Sequence, residues 1–144
     1  MSSWDRKYIN LCNYIGQEWS KDRSTKVAAV IVNDRNKLVS IGYNGFPIGI
    51  DDTDEDRHKR PDKYVWTEHA ERNAIYSAAE LGVSVRGCTL YCNYLPCVDC
   101  ARAIIQSGIK EVIYQSRRVS SGICDPALST AMLLEARIII RKFN

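Results

Sequence analysis

Thr89-Leu90-Tyr91-Cys92-Asn93-Tyr94, Leu95-Pro96-Cys97-Val98-Asp99-Cys100-Ala101-Arg102-Ala103-Ile104-Ile105-Gln106-Ser107-Gly108 and Ile109-Lys110-Glu111-Val112-Ile113-Tyr114 follow one another without a linker. The first piece has the length and the aromatic and apolar content of a strand. In the second, Pro96 suits the opening of a helix, which carries Ala101, Ile104 and Ile105 and stops at Gly108. Glu111 to Tyr114 reads as a further strand. Strand, helix and strand in direct succession place the chain in the α/β class.

Moving toward the N-terminus, Glu68 to Leu81 is rich in Ala and Glu, follows Thr67 as an N-cap and ends at Gly82, so it reads as a helix. Asn44 to Trp66 has no periodicity and reads as a long loop. Its charge run from Asp51 to Arg60 has the character of solvated surface, while the tight Gly42-Tyr43-Asn44-Gly45 turn at its start favours a functional role there. Lys26 to Asn33 and Leu38 to Tyr43, joined by Asn33-Asp34-Arg35-Asn36, predict a hairpin of buried strands. Trp4, Tyr8, Ile9, Cys12, Ile15 and Trp19 recur at helical spacing. A helix around Ala127 to Ala136 and a strand from Arg137 to Lys142 complete the chain. The order predicts a three-layer α/β/α sandwich, one domain over residues 1–144, with a five-stranded mixed sheet covered on both faces.

Composition narrows the function. Of the 144 residues 45% are hydrophobic and 26% charged, which is ordinary for a globular chain. The net charge of +3 comes from basic residues spread along the sequence, so a small anionic ligand is favoured over a nucleic acid, and no apolar run is long enough to span a bilayer. The first residues lack the order of a signal peptide, which makes the cytoplasm the expected compartment. There the six cysteines would stay reduced, and a close pair suggests a metal. Cys12, Cys88, Cys92 and Cys124 are expected to be buried thiols.

His69-Ala70-Glu71 and Pro96-Cys97-Val98-Asp99-Cys100 each stand at the start of a predicted helix. In an open α/β sheet such helix starts converge on one crevice. Together His69, Cys97 and Cys100 offer three zinc ligands, which leaves a fourth position open, as in a catalytic site. Glu71, two residues after His69, can move protons without binding the metal. Alone, Cys97-x-x-Cys100 could be a redox pair and His69 a core histidine. The combined pattern is a known signature of zinc nucleobase deaminases.

Four blocks widen the likeness: Ser20 to Val27, Gly42 to Pro47, His69 to Ile75, and Pro96 to Ala101. Through these, from about Trp4 to about Ile113, the chain resembles the deoxycytidylate (dCMP) deaminases. The resemblance implies a cytidine deaminase-like fold, one catalytic Zn2+ per subunit and hydrolysis of dCMP to dUMP and ammonia for thymidylate synthesis. It further implies a homohexamer, with dCTP and dTTP as effectors, Mg2+ accompanying a triphosphate, and Gly42, Tyr43, Asn44, Gly45, Pro47 and Gly49 as candidates for the effector site. Asn44 matches the family position that contacts the substrate's sugar, although asparagine also serves turns through its own local hydrogen bonds. Arg23, Ser24 and Lys26 form the nearest segment able to hold a 5′-phosphate.

After Tyr114 the sequence leaves the family pattern with Gln115-Ser116-Arg117-Arg118. Two adjacent arginines there suit either a solvated loop or a longer phosphate chain, which would admit dCTP as well as dCMP. Other readings are a deaminase of a related or modified cytosine nucleotide and a nucleotide sensor without turnover; retention of Glu71 argues against the sensor. Cys88 and Cys92 share one strand face, which leaves either free to approach the metal. A second zinc site lacks ligands, since His58 is the only other histidine.

Overall fold

A computed structural model describes residues 2–118 and 122–144. Helix α1 (Ser3–Trp19) starts at Ser2, whose hydroxyl accepts from Asp5 N while the Asp5 carboxylate accepts from Ser2 N, a reciprocal cap. Its apolar stripe, Tyr8, Ile9, Cys12 and Ile15, is buried. Strand β1 (Ala28–Val32) is buried at every residue, as a continuous β-branched run at the middle of a sheet should be. It pairs with β2 (Leu38–Tyr43) through a turn in which Asn33 Oδ1 accepts from Arg35 N and Lys37 N.

The segment read as a plain loop holds a 3-10 turn, Glu55–His58, and a one-turn helix α2 (Lys63–Trp66), both too short to show a period in sequence. Then come α3 (Ala70–Glu80), β3 (Thr89–Tyr94), α4 (Val98–Gln106), β4 (Glu111–Ser116), a 3-10 turn at Gly122–Cys124, α5 (Pro126–Glu135) and β5 (Ile139–Lys142).

Strand order is β2-β1-β3-β4-β5. β1 is antiparallel to both neighbours, and β3, β4 and β5 are parallel, so the sheet is mixed as expected. Alternation along the strands sorts the core into two layers. Ala28, Val30, Val32, Tyr91 and Ile113 face α1, while Ala29, Ile31, Leu90, Cys92 and Val112 pack with Ala70, Ala74, Ala101 and Ile104 of α3 and α4. Helices therefore cover both faces, giving the three-layer α/β/α sandwich.

Three predicted boundaries move. Thr67 closes α2, and His69 is the N-cap of α3. Pro96 lies one residue outside α4, whose N-cap is Cys97. Arg137 adopts a left-handed φ of 62° at the end of α5, so β5 begins only at Ile139.

Gly42 sets the distance between sheet and α3. A Cβ there would lie 2.9 Å from Ala74 Cα and nearer still to Ala70 O and Ala74 N. Only a residue without a side chain admits the helix backbone so close to β2.

Candidate active site

His69 and Cys97 are the N-caps of α3 and α4, both with extended backbone, and neither side chain caps its own helix. The side chains turn toward each other instead. His69 Nδ1 lies 3.4 Å from Cys97 Sγ and 3.4 Å from Cys100 Sγ, the latter from the first turn of α4. A nitrogen and a sulfur on a tetrahedral zinc are separated by about 3.5 Å, from bonds of about 2.0 and 2.3 Å. The three atoms are thus arranged as ligands of one ion before any ion is added, and this is the one such His/Cys cluster among the described residues. The donor set fits zinc.

The electrostatics agree. The Cys97 thiol is pulled down to about 4, first by the hydrogen bond from Cys100 and then by His69, against the opposing effect of burial. Cys100, the donor of that bond and itself buried, is pushed well up. The hydrogen bond to Cys97 raises His69. A metal ion binds such groups in their deprotonated forms, so ion binding here would be coupled to proton release.

Glu71 lies on the first turn of α3, 4% exposed, with Oε2 3.5 Å from Cys100 Sγ. Burial raises its proton affinity above that of an ordinary carboxylate. An ionic bridge joins the two motif helices. Glu68 Oε1 accepts from His69 N at 2.9 Å and from Arg72 Nε at 2.6 Å, and Arg72 reaches Asp99 Oδ2 of α4 at 3.8 Å.

His69, Glu71 and Cys97 open onto a cavity of about 240 Å³. Asn44 reaches the same cavity, and its amide also holds the turn together. Oδ1 accepts from Val27 N at 3.1 Å and from Ser20 Oγ, and Nδ2 donates to Thr25 O at 2.8 Å. These bonds use one of the two Nδ2 hydrogens and leave the other over.

The segment expected to hold the phosphate reaches this wall through Asp22, Thr25 and Val27, and Arg23, Ser24 and Lys26 lie outside the lining. Arg23 is exposed and paired with Glu55, Lys26 Nζ donates to Ser20 O, and Ser24 Oγ bonds Asp22 and Lys63. The cations that line the cavity are Arg60, Lys63 and Arg118. Sequence reading missed Lys63, and treated Arg60 as part of a solvated run. The signal available was the aromatic pair Tyr64 and Trp66 directly after that run. Of the two adjacent arginines, Arg118 lines the cavity over the Tyr94 ring, while Arg117 bonds Tyr114 Oη. Cys124, expected to be buried, is exposed and lines the cavity. Cys88 and Cys92 lie in the core away from the ligand cluster, and His58 stacks on Phe46.

The effector candidates have separate fates. Gly42, Tyr43, Gly45 and Pro47 line a second, smaller cavity of about 190 Å³ with Phe46, Tyr76 and Glu80. Gly49 lies outside its lining, at an exposed turn with φ 84°.

Comparison with known proteins places these features. The chain is 42% identical over 146 residues to the deoxycytidylate deaminase of Mus musculus, covering 96% of this chain and 79% of that one. It is 38% identical over 143 residues to that of Pongo abelii, covering 95% and 78%. The dCMP deaminase of cyanophage S-TIM5, solved in complex with dCMP and dUMP, superposes with a TM-score of 0.81 at 26% identity over 99% of each chain. Residues 2–116 match the cytidine and deoxycytidylate deaminase zinc-binding region, so a ligand cluster assembled from two helix starts and a family match over most of the sequence agree: the chain belongs to the cytidine and deoxycytidylate deaminases.

Proposed function

We propose that this protein deaminates dCMP hydrolytically to dUMP and ammonia, providing dUMP for thymidylate synthesis. The observation that carries the reading is the buried Glu71 carboxylate against Cys100, facing the same cavity as His69 and Cys97. The kinship to deoxycytidylate deaminases supplies the substrate.

His69 Nδ1, Cys97 Sγ and Cys100 Sγ would hold the zinc, which would supply Lewis acidity and so bring the ionisation of water toward neutral pH. Glu71 does the proton work. As water adds to C4 of the cytosine, the carboxylate takes one proton and delivers it to ring N3. It then takes the second proton from the new C4 hydroxyl and passes it to the amino group. The C4–N bond breaks, ammonia leaves, the C4 carbonyl forms, and Glu71 ends as it began. A carboxylate with raised proton affinity is suited to accept and return protons near neutrality. Asn44 offers its remaining amide hydrogen to the sugar, so the base is presented to Glu71 in one orientation.

Regulation by dCTP and dTTP with Mg2+ at the Gly42–Pro47 cavity requires cations from a neighbouring subunit. Among the described residues, Glu80 is its one charged lining residue. Homohexamer assembly would supply such neighbours.

The test incubates the zinc-loaded protein separately with dCMP, dCTP, deoxycytidine and CMP, following cytosine absorbance and ammonia. Conversion of dCMP is expected, and Glu71→Gln should lower kcat by about 10²- to 10⁴-fold with zinc content unchanged. Absence of turnover on all four would overturn the substrate assignment.

A further inference from the structure

His69 and Cys97 each stand one residue before their helix, so the direction of each side chain depends on what holds the peptide at its N-terminal side. At His69 the anchor is local, since Glu68 Oε1 accepts from His69 N at 2.9 Å. At Cys97 it comes from far along the chain. Pro96 has no N–H to donate, and the Leu95 N–H goes to Ser116 O at 2.8 Å, at the end of β4. The group left to fix the loop next to the ligand is the carbonyl of the buried Pro96.

That carbonyl accepts from Ser129 Oγ of α5, 33 residues later. Ser129 is 0% exposed, and Leu133, one turn on, packs into the core with Ala101 and Ile104 of α4. A hydroxyl on such an apolar stripe needs a partner. Serine within a helix commonly bonds the carbonyl four residues back. Here Asp125 O accepts from Ser129 N at 3.2 Å, and the hydroxyl is donated out of the helix to the ligand loop. The helix is itself pinned beside the site. Asp125 Oδ1 accepts from Ala127 N at 2.8 Å as its cap, and Pro126, its first residue, lines the cavity with Cys97.

We infer that Ser129 is the positioning residue for Cys97: its hydroxyl fixes the Pro96–Cys97 peptide, and through it the direction of Cys97 Sγ toward His69 Nδ1. Without the hydroxyl, the Pro96 carbonyl is left buried and unpaired, or it turns to find another donor and carries Cys97 with it. Metal–ligand distances are set to within about 0.2 Å, so a small rotation of this peptide is felt at the ion. Removing a group that orients a ligand from outside typically costs about 10- to 100-fold in metal affinity. The inference rests on the reading of His69, Cys97 and Cys100 as zinc ligands and makes no use of the substrate.

The experiment compares wild type with Ser129→Ala, Ser129→Thr, Ser129→Val and Leu133→Val. It measures zinc affinity by chelator competition, the absorption spectrum of the cobalt(II)-loaded proteins, and Tm. Threonine and valine have nearly the same shape and only threonine keeps the hydroxyl, so the strain of added bulk cancels between them. Ser129→Ala should bind zinc about 10-fold more weakly than wild type, and Ser129→Val about 10-fold more weakly than Ser129→Thr, with the thiolate-to-cobalt bands shifted in both. Leu133→Val removes buried volume from the same helix without removing the hydroxyl. It should lower Tm, yet keep zinc affinity within about twofold and the bands in place. Wild-type affinity and spectrum in Ser129→Ala, or equal affinities in Ser129→Thr and Ser129→Val, overturn the inference. An equal loss in Leu133→Val overturns it too, because the effect would then be one of stability alone. If Ser129→Ala fails to fold, the threonine and valine pair decides. Should wild type bind neither ion, the zinc reading and the inference fall together; zinc bound without dCMP turnover fails the substrate reading, while the affinities still decide the inference.

Discussion

Gly42→Ala should damage catalysis without touching a reacting group. The backbone of Gly42 lies in β2 and has no left-handed φ, so alanine strains nothing locally and the effect is one of space. The new methyl would sit 2.9 Å from Ala74 Cα and closer to Ala70 O and Ala74 N, where ordinary contact is about 3.5 to 4.0 Å. The obstructing atoms are helix backbone, so α3 as a whole must retreat by about 1 Å, and Ala70 stands between His69 and Glu71. Overpacking of this kind costs about 2 to 3 kcal/mol, or roughly 5 to 10 °C in Tm for a chain of this size. A displacement of about 1 Å at the proton-transferring group can cost about 100-fold in kcat. Thermal unfolding and dCMP turnover of zinc-loaded protein would measure both. Gly45→Ala is the control, since a Cβ there meets nothing nearer than 4.0 Å. If Gly42→Ala kept its Tm within about 2 °C and its kcat within twofold, the claim that this glycine sets the height of α3 would be wrong.

Three further outcomes follow from the hydrogen bonds. Asn44→Ala strips partners from Val27 N and Thr25 O and should cost about 2 kcal/mol in urea unfolding; it should raise KM for dCMP and deoxycytidine alike, because both carry the sugar. Arg72→Met opens the bridge from Glu68 to Asp99 and should weaken zinc binding by about 10-fold in a chelator competition, with the fold retained. Asp5 is buried between the Arg141 guanidinium and Tyr91 Oη, which together with Ser2 N hold its carboxyl down at about 2 against the opposing effect of burial. A carboxyl with a depressed folded-state pKa stabilises the fold above its unfolded value near 4, here by about 2 kcal/mol, and loses this as pH falls toward 2. Asp5→Asn should therefore lower stability near pH 6 and match wild type near pH 2.

The sheet and its helices were legible because periodicity is a local property. Val30 and Ile31 in an unbroken β-branched run could only be a central strand, and the stripe from Tyr8 to Ile15 could only cover a face. The ligand set was legible for a similar reason: His69, Cys97 and Cys100 each stand at the start of a helix, and α/β topology brings such starts together. Helix ends were read less well. Thr67 has the chemistry of an N-cap, yet it closes α2, a helix of one turn that leaves no period to detect.

Arg23 and Lys26 fall outside the cavity lining for a different reason, which bears on how this cavity is made. Arg23 and Lys26 stand just before β1, in the turn that bonds Asn44, but a charged side chain goes where its partner is. Glu55 draws Arg23 outward from 32 residues away, and Ser20 O takes Lys26. Asp22, directly before Arg23 in the chain, spends one carboxylate oxygen on its own turn and offers the other to Lys63, 41 residues later. Its two oxygens thus do separate jobs: one shapes the turn that holds Asn44, and the other draws a lysine to that turn. Replacing Asp22 should therefore unseat Asn44 and Lys63 together, whereas replacing Lys63 should leave the turn that holds Asn44 in place. That asymmetry belongs to the carboxylate's position at the junction, and no reading of the two cationic segments taken separately could have supplied it.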